Sequence, residues 1–282
     1  MITSLITQAL FGLVVAVVIF VPLERLFALR REQRVLREGW RTDVTHFLVT
    51  GRLVDVGLIV AIIVPAVLLH VLVAPITAPL VTSQPWLLQF SEALLIASIG
   101  GYVGHRLTHE VPLLWKFHRV HHSIEKMDWL AAPRLHPIDS IFTRAVAVLP
   151  LVALGFTKAT FGAYLVFLTL QAIFVHSNVR LKFGPLRWVF GTPEWHHWHH
   201  AADAAAYNKN FSAELPWLDV LFGTAYMPKG VRPTAFGLQA TEAPVPLGWW
   251  AHMKHPFAHT DAPATRPVGE SALTPASPVL HR

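Results

Sequence analysis

Residues 1–23 read MITSLITQALFGLVVAVVIFVPL, with no Asp, Glu, Lys or Arg among them. Coiled as a helix, that length covers the hydrocarbon core of a bilayer, about 30 Å thick. A cleavable signal peptide is the competing reading. It would place a basic residue ahead of the apolar run and a small-residue cleavage site behind it. Here nothing basic precedes, and Val21-Pro22-Leu23-Glu24-Arg25 follows. The stretch reads as a retained anchor.

Working outward, residues 24–52 carry seven arginines against four acids, which the positive-inside rule assigns to the cytoplasmic side, with the N-terminus outside. A second apolar run, residues 56–73, crosses back, with Pro65 as a kink. Residues 74–86 hold three prolines and no charge, predicting a short outer turn or an interfacial segment. A third run, residues 87–103, is interrupted only by Glu92 and returns the chain inside. Two shorter pieces, residues 145–156 and 159–175, flank Thr157-Lys158. The first falls short of the ~20 residues a spanning helix needs, so the pair predicts a helical hairpin dipping into or through the membrane. With this topology 22 of the 23 Lys and Arg residues are cytoplasmic, Lys158 excepted. The expected fold is all-α: an integral-membrane helical bundle of about three spans plus a hairpin, occupying residues 1–242. Residues 243–282, rich in Pro, Ala and Thr, read as a poorly ordered tail.

Composition agrees. Of 282 residues, 53% are hydrophobic and 14% charged, against ~25% charged in an ordinary soluble domain. Mean hydropathy is +0.45. That balance argues against a disordered chain, a nucleic-acid-binding module and a conventional soluble enzyme. The net charge of +6, spread thinly among apolar runs, suits a membrane surface rather than nucleic acid. With no cysteine, disulfides and thiolate-ligated zinc or iron–sulfur sites are excluded.

Histidine is the anomaly: 17, as many as Asp and Glu together. Eight form three clusters, His105-x3-His109, His118-x2-His121-His122 and His196-x2-His199-His200, and on a helix i, i+3 and i+4 share a face. His197 points elsewhere. Eight aligned imidazoles overfill a single zinc and fit two metals with about four ligands apiece. A soluble di-iron bundle would instead use glutamates and Glu-x-x-His pairs, whereas Glu194 lies two and three residues before His196 and His197 and belongs to a different pattern. His252, His255 and His259 have ligand-like spacing, but Pro256 interrupts any helix there, and they are not expected to bind metal. His46 and His70 stand alone, and His70 is expected to hydrogen-bond within the bundle.

With their flanks, these boxes resemble the fatty acid hydroxylase (sterol desaturase) superfamily of integral-membrane non-haem di-iron oxygenases. The resemblance rests on the three boxes, Leu114-Trp115-Lys116-Phe117 before the second, Arg134-Leu135-His136-Pro137, Val175-His176-Ser177-Asn178, Asn208-Lys209-Asn210-Phe211 and Trp217-Leu218-Asp219 through Thr224. It covers residues 24–228. It implies that His105, His109, His118, His121, His122, His196, His199 and His200 bind two irons, with His176 as a further ligand. His136 sits where many members keep a histidine, with a ligand-supporting or a fold role. Asn178, Asn208 and Asp219 are expected to orient ligand rings, Asp219 equally to cap a helix. Glu110 is shared with an ether-lipid-cleaving branch, and Arg180 stands where some relatives have another histidine.

The resemblance further implies O2 as co-substrate and a lipid substrate entering from the bilayer, and the positive-inside topology places the metal site on the cytoplasmic face of the cytoplasmic membrane. Electrons would come from a separate ferredoxin or b-type cytochrome. Trp115, Trp129, Trp195, Trp198 and Trp217 would line the lipid channel or anchor at the interface. Hydroxylation is preferred over desaturation. Oxidation of a sterol, carotenoid or ether lipid is the alternative within the class, and a His-rich metal transporter or a mononuclear zinc hydrolase outside it. A transporter would place its ligands near the membrane midplane, whereas these boxes follow the ends of apolar runs.

Overall fold

A computed structural model describes residues 2–258. Among them the regular structure is helical, with only two isolated β-bridges, Ala28–Val179 and Ala201–Phe236. Helix α1 covers Ile2–Leu26. A short α2, Trp40–Thr45, runs through a π-turn at His46–Thr50 into α3, Gly51–Thr82. Helix α4 is Trp86–Glu110, α5 Pro112–His122, α6 Pro137–Leu154 and α7 Lys158–His176. Three short helices follow: α8 Pro193–His199, α9 Trp217–Leu221 and α10 Trp249–Lys254.

Five stretches are long and apolar enough to cross a membrane: Ile6–Leu26, Trp40–Thr82, Trp86–Glu110, Pro137–Leu154 and Lys158–His176. Their outward faces suit lipid, since Val18, Val60, Leu72 and Ile76 are each about two-thirds or more exposed, and alkyl side chains gain nothing from leaving a hydrocarbon solvent. This is the integral-membrane bundle of three spans plus a hairpin.

Two boundaries differ from expectation. Residues 74–82 are not a turn; they continue α3, with Pro75 and Pro79 inside the helix. Each proline removes one backbone donor, which a membrane helix packed against its neighbours tolerates. Between the two, Thr77 Oγ1 contacts Val73 O at 3.1 Å and Leu154 O at 2.9 Å, tying this end of α3 to the end of α6. Nor is the first arm of the hairpin short. It starts at Pro137, where His136 Nδ1 accepts from Ile138 N, and ends where Gly155 turns left-handed at φ 77°. Asp139 and Arg144 hide that first turn from a hydropathy reading.

Helix α6 is the hub, packed against α3 and α4. Small residues on α4 permit the approach: Ala93 and Ala97 are fully buried, and a Cβ on Gly100 would lie 2.6 Å from Val146 O and 2.9 Å from Ala147 Cα. Gly100→Ala is therefore expected to force the two helices apart and cost about 1–3 kcal/mol. Gly101→Ala, facing open space, is the control, and thermal melts of both variants in detergent check the difference.

The C-terminal stretch read from composition as a tail contributes α10. His252 on it is buried and its Nδ1 meets His46 Nε2 at 2.9 Å, while Trp249 Nε1 donates to Thr50 Oγ1. His259 lies outside the described residues. His70 Nδ1 donates to Val152 O on α6, 3.0 Å away.

Candidate metal centre

Nine histidines converge at one end of the bundle, where α4 and α7 finish and α6 begins. The chain delivers them by simple means. Helix α4 carries His105 and His109 on its last turns. Extended Val111 then ends α4 and leads into α5, which Pro112 starts, a proline at the first helical position losing no hydrogen bond. Helix α5 brings His118, His121 and His122. Thr192 caps α8, its Oγ1 accepting from Trp195 N, and Pro193 starts the turn that carries His196, His199 and His200. His176 is the last residue of α7.

The nine divide into two groups, His105, His109, His118, His122 and His199, and His121, His176, His196 and His200, with the ligand atoms of each group within 4.8 Å of one another. The boxes do not map one to one onto groups. Neighbours in sequence face different ones, His121 from His122 and His199 from His200, because adjacent residues on a helix diverge by about 100°.

What turns the rings inward is a set of acceptors at Nδ1. His118 Nδ1 meets both carboxylate oxygens of Asp139 at 3.1 Å. His105 meets Phe211 O at 2.6 Å, His121 meets Arg134 O at 3.1 Å, His176 meets Ala172 O at 2.7 Å and His199 meets Lys209 O at 2.8 Å. An Nδ1–H donated to such a partner fixes the tautomer and leaves the Nε2 lone pair free. These Nε2 atoms then crowd together: 3.1 Å for His105–His118, 3.0 Å for His122–His199, and 3.1 Å for His121–His176, His176–His196 and His196–His200. Lone pairs so placed repel unless a cation sits among them, and metal–nitrogen bonds of about 2.0–2.1 Å separate imidazole nitrogens by about this much. Neither buried ring nitrogen of His109 makes a hydrogen bond of good geometry, Asn208 being the side chain that reaches toward it, and a metal bond would relieve this. The donor set fits metal in both groups.

Electrostatics point the same way. Burial pushes His199 down to about 3, and burial reinforced by neighbouring imidazoles holds His121, His122, His196 and His200 well below the ordinary value. At neutral pH these rings are uncharged, the state a metal ligand needs.

Other sequence candidates fall outside the two groups. His136 caps α6, with its Nε2 3.4 Å from Met253 O. His197 turns away to Ser177 O. Glu110 pairs with Arg106 on the surface, and Arg180 N donates to Phe27 O. The expected supports are partly redrawn. Asn178 touches no ligand ring; it clamps Arg30 through its N–H and C=O, tying the end of α7 to the chain after α1. Asp219 acts at one remove, accepting from Phe211 N, Ser212 N and Thr224 Oγ1, and so shapes the loop whose Phe211 carbonyl holds His105. Asn208 and Asn210 adopt left-handed φ of 55° and 57°, a region asparagine tolerates, and these turns aim the Lys209 and Phe211 carbonyls at His199 and His105. Of the five tryptophans near the boxes, Trp115 alone packs on ligand rings, tilted against His109, His118 and His122. Asp139 went unread in the sequence, since nothing local distinguishes it from any first-turn acid of a helix.

A cavity of about 170 Å³ opens onto both groups, reaching His105 and His118 of one and His121, His176 and His196 of the other. Its remaining wall is largely apolar, with Ala132, Leu135, Ala147, Leu168 and Ala172, and no tryptophan lines it.

These features define a class: an integral-membrane helical protein carrying two all-histidine groups, each able to hold a metal ion. Comparison with known proteins narrows it. Residues 90–224, from the second turn of α4 past the third box and just under half of the chain, match the fatty acid hydroxylase family model, so this stretch is similar to a fatty acid hydroxylase domain. Ornithine lipid hydroxylase OlsE of Rhizobium tropici is 35% identical over 177 residues, 62% of this chain and 52% of that protein. Alkylglycerol monooxygenase of Homo sapiens is 32% identical over 141 residues, 50% and 31% of the two chains. Very-long-chain aldehyde decarbonylase GL1-10 of Oryza sativa subsp. japonica is 29% identical over 133 residues, 46% and 44%. The matches thus span about half or less of each relative's length. No solved structure matches.

Proposed function

We propose that this chain is an O2-dependent oxidoreductase using two non-haem irons, held by the nine histidines, to hydroxylate an unactivated C–H bond of a membrane lipid or fatty acyl chain. The observation that carries the proposal is the pair of carboxylate-free imidazole groups opening onto one shared apolar cavity. Similarity to an ornithine lipid hydroxylase and an alkylglycerol monooxygenase supports lipid as the substrate, and the second of these makes ether-lipid oxidation the alternative reading. The excess of arginine in residues 24–52 supports a cytoplasmic metal centre in the cytoplasmic membrane.

The bound irons would supply the O2 chemistry that removes hydrogen from an unreactive carbon. The chain's part is binding, orientation and exclusion of water. Apolar walls admit a hydrocarbon segment and keep bulk solvent from the metal face. Asp139 and the four backbone carbonyls hold the ligand rings in register, so that the Nε2 atoms present a fixed geometry through the reaction. Electrons come from a separate ferredoxin or b-type cytochrome.

Metal analysis and Mössbauer spectroscopy of the detergent-purified chain test the metal, and mass spectrometry of membrane lipids from cells with and without the gene tests the chemistry. Two coupled irons per chain and a lipid bearing one extra oxygen are expected. One zinc per chain would overturn the proposal and reopen the hydrolase reading. Asp139→Asn is expected to weaken iron binding by about 10–100-fold, the usual cost of removing a ligand-orienting carboxylate, as read by chelator competition.

A further inference from the structure

The apolar cavity has one feature that hydrocarbon binding does not use. Arg144, from the second turn of α6, lines it and makes no hydrogen bond or ion pair among the described residues. The acids nearby are already engaged. Glu214, on the same wall, accepts from Ser98 Oγ and Tyr164 Oη, and Asp139 faces His118. Asp55 on α3 is the opposite charge that acts on Arg144, but it lies beyond pairing distance and is bound by Arg52 at 3.0 Å. An unpaired guanidinium in a membrane span is costly and is kept where it serves a ligand or a pathway, and its planar fork matches carboxylate or phosphate.

We propose that Arg144 anchors an anionic group, carboxylate or phosphate, of the amphiphile that enters this cavity. The assignment rests on the reading of the cavity as the lipid site. It has a geometric consequence. Arg144 is five residues along α6 from Asp139, which orients His118, so the two Cα atoms lie about 7–8 Å apart along the axis. At about 170 Å³ the cavity matches an engineered void that takes a single benzene, roughly 150 Å³. It holds a polar group and a short length of chain, not a whole lipid. The carbon oxidised is therefore one near the charged end of the substrate rather than one far along an acyl tail.

The test is a binding measurement on the full-length chain in an uncharged detergent. The probe is a fluorescent polyene fatty acid set against its methyl ester, with lysophosphatidic acid and monoacylglycerol as displacers. Wild type is expected to bind the acid about tenfold more tightly than the ester, as one charge-assisted contact allows. Arg144→Gln should lose that preference while binding the ester unchanged, and Arg144→Lys should keep most of it. Displacement by lysophosphatidic acid well below the concentration of fatty acid required assigns phosphate; the reverse order assigns carboxylate. Equal binding of acid and ester by wild type, which needs no variant to fold, would overturn the proposal. So would an Arg144→Gln protein that still prefers the acid. Binding is read without turnover, so the two readings fail separately. Iron-loaded chain with no anion preference sinks the Arg144 assignment alone, and Arg144-dependent preference in a chain that takes up no iron sinks the di-iron reading alone.

Discussion

Replacing His121 by alanine is expected to reduce bound iron from two to about one per chain, and replacing His122 is expected to do the same by emptying the other group. The two residues are adjacent in sequence, yet His121 Nε2 lies 3.1 Å from His176 and His122 Nε2 lies 3.0 Å from His199, one pair in each group. Losing a ligand-orienting partner already costs about 10–100-fold in affinity, so losing a ligand outright costs at least that. Lipid oxidation should vanish in both variants, because the cavity opens onto both groups and the proposed chemistry draws on both metals. The double variant should bind none. Spectroscopy distinguishes the singles, since each retains a different uncoupled iron. If both variants kept two irons, or if the same iron disappeared from each, the division into groups of five and four would be wrong.

That division shows where sequence reasoning stopped. The periodic boxes place His118, His121 and His122 on one helix face, and so they are, but a face is about 100° wide and the two metal groups sit at its two edges. What separates them is which elements meet α5: His105 and His109 of α4 join His118 and His122, His176 of α7 joins His121, and the third box contributes to both groups. The acceptors at Nδ1 were less legible still. Four of the five are backbone carbonyls, at Arg134, Ala172, Lys209 and Phe211, and a carbonyl has no sequence signature. The Asn208-Lys209-Asn210-Phe211 motif is visible as a string, but its function is the two left-handed turns that point its carbonyls, and these need coordinates. The spans were easier, because hydropathy is a sum over many residues. Their ends were not. Proline-rich residues 74–82 stay helical and are tied to the end of α6 through Thr77, and the Asp139 turn of α6 is helical although polar, its carboxylate facing His118 Nδ1.

Asp43→Ala is expected to cost about 3–5 kcal/mol, the range for removing one partner of a buried ion pair. Its carboxylate accepts from Arg134 Nε and Nη2 at 2.6 and 2.9 Å and lies 2.7 Å from Arg37 Nη2. All three side chains are at most 4% exposed. Arg37 keeps a second anchor, the bidentate contact to Asp128 at 2.7 Å, but Arg134 is left charged, buried and unpaired. The loss reaches the metal centre, because the Arg134 carbonyl is the acceptor for His121 Nδ1. Iron should therefore leave the His121 group under chelator challenge before it leaves the His122 group, and the melting temperature in detergent should fall by on the order of 10 °C. The exposed pair Arg52–Asp55, at 3.0 Å with both side chains more than a third exposed, supplies the contrast. Asp55→Ala is expected to cost about 1 kcal/mol or less and to leave iron retention unchanged. Equal effects of the two substitutions would mean that the buried cluster neither holds the loop after α5 nor supports the histidine it presents.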